Sequence, residues 1–278
     1  MSTAQNFLDK FSDIHPLPSV VMTVNKLIND SESTMKDFED VIKVDQVLVT
    51  RLLRLVNSPF YGLTQTVDAI GRAVAFLGMK NLHNLVVIDA LQTIFVAPHQ
   101  TTGFSKKKLW HHSAAVSICS KMVAERILGV NGDDALLCGI LHDFCLLIEE
   151  QIRPDDFNRI CSTCTSTGAL VGLENEAFGT NHCELGYIMS LDWNMSTPIQ
   201  EAIRDHHRIT DDMKPETLAG VIQISEYIVS QFSHTTLPEI KVDISPPLLR
   251  HLQDNFDEYK VLTDDLPEEM EKVNAIYG

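Results

Sequence analysis

"WHHS" at residues 110–113 opens the stretch that decides the fold, and "GILHDF" at 139–144 is its counterpart. His182 in "TNHCELG", His206-His207 in "RDHHRI" and the acid Glu226 in "VIQISEYIV" follow. Each lies where apolar residues recur at helical spacing. The chain thus carries one ligand-bearing site per helix, repeated. Imidazole and carboxylate together suit a first-row transition metal. Helices facing a shared interior can assemble such a site. The candidate metal ligands are His112, His142, Asp143, His182, His206, His207 and Glu226. His206 and His207 are adjacent, so on one continuous helix their side chains diverge by about 100°. That spacing predicts one as a ligand and the other behind it or facing phosphate.

Outward from this stretch, the pattern is helical almost throughout, and the fold class is all-α. "SVVMTVNKLIND" carries a stripe of Val20, Val21, Val24, Leu27 and Ile28, with Pro16 and Pro18 just ahead, where proline suits a helix start. Thr34 with Asp37 forms a capping box that opens a helix through Ile42. "LVTRLLRLVN" is amphipathic and ends at "SPFYG", where Pro59 blocks continuation and Asn57-Ser58 can bond the backbone. Gly78 reads as the C-terminal cap of "DAIGRAVAFLG", ahead of a buried helix at about 81–96. Helices are then expected at roughly 106–128, 133–150, 154–167, 182–191, 198–207 and 216–232. The breaker-rich run Pro98–Gly103 divides an N-terminal lobe, 1–100, from a second lobe, 101–235. An acidic extension, 236–278, is expected to be helical and packed on that lobe. No run alternates with period two, so no substantial sheet is expected.

Bulk properties remove several function classes. The net charge of −16 repels nucleic-acid phosphate. The N-terminus lacks a basic segment followed by an apolar one, and no stretch reads as long enough to span a bilayer. The expectation is a cytoplasmic protein without nucleic-acid or membrane partners. Its six cysteines are then reduced thiols, and the lone Cys161/Cys164 pair lacks the second pair a zinc ribbon needs. His15, His83, His99, His111, His234 and His251 read as ordinary core or surface histidines, and Trp110 and Trp193 as packing anchors.

The segments "HPLPSVVMTVNKLIND", "RLVNSPFYG", "LWHHSAAVS", "LLCGILHDF" and "NHCELGYIMSLDWNMSTPIQEAIRDHH" resemble the HDOD family in order and spacing, over residues 12–232. HDOD is a signalling branch of the HD superfamily of metal-dependent phosphohydrolases. The resemblance implies a two-lobed helical protein with an HD-type helical core. It implies that His112, His142, Asp143, His182, His206 and His207 fall on the superfamily's metal-ligand positions, with Glu226 where a final Asp would stand. The metal would be a divalent transition ion: iron, manganese, zinc or nickel. HD-GYP relatives, which hydrolyse cyclic dinucleotides, carry a Lys soon after the HD pair, where this chain has Phe144, Cys145, Leu146 and Leu147. They carry a Glu where this chain has Lys108, and this chain has no Gly-Tyr-Pro segment.

Two function classes follow. The first is a regulatory signal-transduction HDOD module, with an HD-like metal-site remnant or a bound metal, that binds a protein partner or small ligand and is weakly catalytic or non-catalytic. The second is a metal-dependent phosphohydrolase on a nucleotide or cyclic dinucleotide, with Asp143 catalytic. Arg204 and Arg208 are the candidate phosphate-binding residues, although flanking arginines on a helix are more often solvated.

Overall fold

The computed structural model describes residues 3–14, 19–59, 61–95, 104–232, 234–237 and 240–277. No strand occurs among them, and an isolated β-bridge joins Ser166 to Lys241. The expectations placed on Pro16, Pro18, His15, His99 and the Pro98–Gly103 run lie outside the described residues. Contacts divide the chain into a larger unit, Met1–His15 with Phe95–Pro267, and a smaller one, Pro16–Ile94 with Glu268–Gly278.

Helix α1 (Thr3–Ile14) belongs to the larger unit. The smaller unit holds α2 (Ser19–Ile28), α3 (Met35–Ile42), α4 (Gln46–Val56) and α5 (Ile70–Phe95). The capping box forms as read: Asp37 N donates to Thr34 Oγ1 at 3.2 Å and Thr34 N donates to Asp37 Oδ2 at 2.9 Å. Asn57 does more than end α4, because its side chain exchanges two 2.7 Å hydrogen bonds with the backbone of Val67 and closes the intervening loop. Helix α5 is broken at Gly78, whose φ of 80° and ψ of 162° suit only a residue without Cβ. One stretch in this unit, Ile70–Gln92, is long and apolar enough to cross a membrane, contrary to the sequence expectation, although most of it is buried. Asp89, within that stretch, pairs with Arg51 at 2.7 Å.

The larger unit continues with α6 (Lys106–Val123), which runs into a π-helical turn at Ala124–Leu128. Then come α7 (Gly132–Leu141), α8 (Leu146–Ile152), α9 (Pro154–Thr163), α10 (Thr167–Phe178), α11 (His182–Asp192), α12 (Thr197–Asp205) and α13 (Leu218–Ser230). Two more, α14 (Pro246–Asp254) and α15 (Phe256–Tyr277), make the acidic extension helical. Helix α6 packs against α7 and α13, α11 against α12, and α1 against α8 and α11. The expected helix at 133–150 is two helices, because the chain turns at His142–Cys145. Phe144 N donates to Leu141 O and Leu146 N to Asp143 O, at 3.1 and 3.0 Å, a tighter turn than an α-helix. Periodicity could not show this break, since Leu141 to Glu150 are all buried and offer no polar face to change phase. Helix α10 likewise has no counterpart among the expected helices, since it fills the gap between those at 154–167 and 182–191.

Gly139 sets the approach of α6 and α7. A Cβ there would lie 2.3 Å from Ser117 Cα, so a larger residue would push the helices apart. Gly186 does the same for α11, where a Cβ would meet Ile203 Cγ2 at 2.6 Å. These close crossings bring His112, His142, His182 and His206 within reach of one another.

Candidate metal centre

Asp143 lies at the middle of the site. The turn after α7 aims its buried carboxylate between helix ends. Its Oδ1 is 3.5 Å from His182 Nε2, 3.6 Å from His206 Nε2 and 3.8 Å from His207 Nε2. Its Oδ2 is 3.4 Å from His142 Nε2 and 3.5 Å from His112 Nε2. Glu226, on α13, reaches within 3.7 Å of His207 Nδ1. Donor atoms of Asp143, His182, His206 and His207 form one group and those of His112, His142 and Glu226 another, each within 4.8 Å internally. Both groups are buried.

Helix ends build this geometry. His142 caps the C-terminus of α7, His206 that of α12, and His182 is the first residue of α11 behind its N-cap Asn181. Helix α12 stops at Asp205, so the expected divergence of His206 and His207 does not arise. Both rings turn toward Asp143, with centroids 4.1 Å apart.

Four of the five imidazoles are held from behind. His112 Nδ1 donates to His234 O at 2.7 Å, His142 Nδ1 to Gly139 O at 2.8 Å and His206 Nδ1 to Ile203 O at 2.7 Å. His182 Nδ1 donates to Glu174, with the nearer oxygen at 2.7 Å. A carbonyl oxygen only accepts, so in those three rings the proton sits on Nδ1 and a neutral ring keeps its Nε2 lone pair. Yet His112 Nε2 and His142 Nε2 face each other at 3.2 Å. Two lone pairs so close need a proton or a cation between them. Asp143 Oδ1 and His207 Nδ1 are buried without any hydrogen-bond partner. Outer partners that fix the tautomer and free Nε2 are the usual support of metal-binding histidines. The donor set therefore fits a transition-metal ion.

The buried groups shift one another in both directions. Although burial opposes it, the surrounding histidines hold the Asp143 carboxyl well below its usual range. Burial pushes His112 down to about 4 and, with His206 and His182 adding to it, drives His207 well below its usual value. For His206, burial is outweighed by Cys183 and Asp143, and the ring rises to about 10. For His182, burial is likewise outweighed, by Cys183 and Glu174, and its pKa is raised. Burial lifts Glu226 to about 7.

Sequence reading missed three neighbours of the cluster. Glu174 on α10 holds His182, and it could have been found only as an acid in a helix that was itself not foreseen. Thr236 donates to Asp143 Oδ2 at 2.6 Å from the connection after α13. Cys183 places its Sγ 3.4 Å from His182 Nε2 and 3.9 Å from His206 Nε2. Glu149, also buried, is driven well above the usual carboxyl range by burial and the nearby Glu174. The two arginines stay outside the cluster. Arg204 is exposed, pairs with Asp205 at 2.7 Å and lies over the Tyr187 ring, and Arg208 is exposed. Phe144, Cys145, Leu146 and Leu147 are buried, and Lys108 is exposed.

The HDOD domain model matches residues 14–209, and the chain belongs to the HDOD family. An uncharacterized protein of Treponema pallidum is 26% identical over 212 residues, which are 74% of this chain; the match spans only 40% of that protein. Among solved structures, a protein of Shewanella amazonensis named as a proposed phosphohydrolase superposes with a TM-score of 0.70 at 22% identity, covering 98% of both chains. An HDOD domain protein of unknown function from Geobacter sulfurreducens gives 0.66 at 23%, covering 98% of this chain and 92% of that one. A proposed signal transduction protein of Marinobacter aquaeolei gives 0.72 at 19%, covering 95% of this chain and 59% of that one. These likenesses establish the all-α HDOD fold.

Proposed function

We propose that this protein is a regulatory HDOD module, cytoplasmic and bacterial, whose pocket holds one or two divalent transition-metal ions on Asp143. The carrying observations are the facing pair of His112 and His142 Nε2 atoms on the Oδ2 side of Asp143 and, toward His182, His206 and His207, a buried Oδ1 without a hydrogen-bond partner. Asp143 can serve both donor groups at once, Oδ1 toward His182, His206 and His207 and Oδ2 toward His112 and His142. Zinc-like bonds would be about 2.0–2.2 Å to nitrogen or oxygen. Bound ions would lower the pKa of water and polarise a phosphoryl oxygen. Phosphate binding usually adds a Lys or Arg to the metal, and both candidate arginines are exposed. The module is therefore expected to signal through a protein partner or small ligand rather than turn over substrate.

The second reading, a metal-dependent phosphohydrolase on a nucleotide or cyclic dinucleotide, is favoured by the full set of buried ligands. It also fits the names of the Shewanella relatives. One experiment separates the two. The protein is loaded anaerobically with Mn²⁺ or Fe²⁺, its metal content measured, and cyclic dinucleotides and simple phosphodiesters offered. Metal without turnover supports the regulator. Turnover that disappears in Asp143→Ala puts the hydrolase first, and failure to take up any metal rejects the hydrolase and the metal-bound form, leaving a regulator with a structural remnant of the site.

A further inference from the structure

Cys183 follows His182 at the start of α11, which Asn181 caps by accepting from Glu184 N at 2.9 Å. The cap fixes both residues in the first turn, and the His182–Glu174 bonds fix the ring beside the thiol. Its Sγ lies 3.4 Å from His182 Nε2 and 3.9 Å from His206 Nε2. Those same nitrogens are 3.5 and 3.6 Å from Asp143 Oδ1. In a tetrahedral site with bonds of about 2.0–2.1 Å to nitrogen and about 2.3 Å to sulfur, neighbouring donors stand roughly 3.3–3.6 Å apart. Three of the four spacings fall in that range, and the Cys183–His206 spacing of 3.9 Å is wider by a few tenths of an ångström. A thiol acting only as a buried hydrogen-bond donor would satisfy one imidazole and would not explain a second at similar range. Asp143 Oδ1 is independent testimony: it is buried, has no hydrogen-bond partner and lies 3.5 and 3.6 Å from the same two nitrogens.

We propose that Cys183 supplies a thiolate ligand to the Asp143–His182–His206 half of the centre. This rests on the metal-binding reading above. Binding breaks the S–H bond, the sulfur electron pair goes to the ion, and the proton leaves to solvent. A sulfur donor shifts the preference of this half toward zinc or iron and away from manganese and magnesium. The other half, His112, His142 and Glu226, keeps only nitrogen and oxygen donors. The two halves of one pocket would then differ in metal preference.

Cobalt(II) substitution of the whole protein tests this, because a cobalt–thiolate bond gives an intense near-ultraviolet charge-transfer band that nitrogen and oxygen donors lack. Wild type loaded with Co²⁺ alone is expected to show the band. Cys183→Ser and Cys183→Ala should lose it, while Cys145→Ser, altering a second buried thiol nearby, should keep it. Bound cobalt without the band in wild type overturns the thiolate and leaves the metal site standing, and this needs no variant to fold. A band that persists when Cys183 is replaced also overturns it. No cobalt uptake by wild type overturns the metal reading, and this inference with it.

Discussion

Buried histidines occur in both units, and they are built differently. In the smaller unit His83 has each ring nitrogen on an amide: Nδ1 lies 3.1 Å from Asn84 Oδ1 and Nε2 bonds Asn25 Oδ1. Both nitrogens have amide neighbours, and neither faces another imidazole. In the larger unit His112, His142, His182 and His206 are tied to a carbonyl or carboxylate oxygen through Nδ1, and their Nε2 atoms turn toward one another and toward Asp143. Burying polar atoms that lack partners costs free energy, so such an arrangement is held only where something else repays it. Burial of a histidine is thus uninformative; what its second nitrogen faces distinguishes structure from function.

The comparison can be broken most directly with metal. At free Zn²⁺ or Co²⁺ about 100-fold above Kd, apparent stability of the larger unit should rise by about 2.7 kcal/mol. Differential scanning calorimetry should show that gain vanish in His142→Ala and survive in His83→Ala. A response lost in His83→Ala would erase the distinction. Glu226→Gln should only weaken affinity, by on the order of tenfold, or about 1.4 kcal/mol. Protons compete for the same nitrogens, since His182 and His206 titrate above the ordinary histidine value. Metal uptake should therefore release protons, and affinity read by competitive titration should fall as pH is lowered.

Gly139→Ala tests whether helix approach builds the cluster. Overpacking against Ser117 should cost about 1–3 kcal/mol and loosen metal binding as α6 and α7 separate. Denaturation with and without metal would measure both, and unchanged affinity would detach the site from this crossing. His83→Ala should destabilise the smaller unit by about 1–2 kcal/mol through the stranded Asn25 and Asn84 amides. The smallest effect is expected for Thr34→Ala, which should cost about 1 kcal/mol by urea unfolding without altering metal affinity.

How much was legible follows from what each feature depends on. The capping box at Thr34 and Asp37 is local chemistry, so the sequence shows it and the structure repeats it. The all-α class rests on periodicity over many turns, and that too is intrinsic to the chain. The identities of His112, His142, Asp143, His182, His206, His207 and Glu226 could be picked out because imidazole and carboxylate recur at intervals among apolar helices. Their arrangement could not. The break after Leu141 falls where flanking residues are buried on every side, so no polar phase marks it, and α12 stops at Asp205, short of the expected end at 207. Those breaks let Asp143 face two groups and let adjacent His206 and His207 point the same way. The exposure of Arg204, the Glu174 and Thr236 bonds, and the place of Cys183 beside two ligand nitrogens depend on contacts between residues distant in sequence or on side-chain direction. The sequence by itself determined which groups are available and that helices carry them. Tertiary packing alone decided which nitrogen each ring turns inward, because that is set by acceptors the fold places behind it.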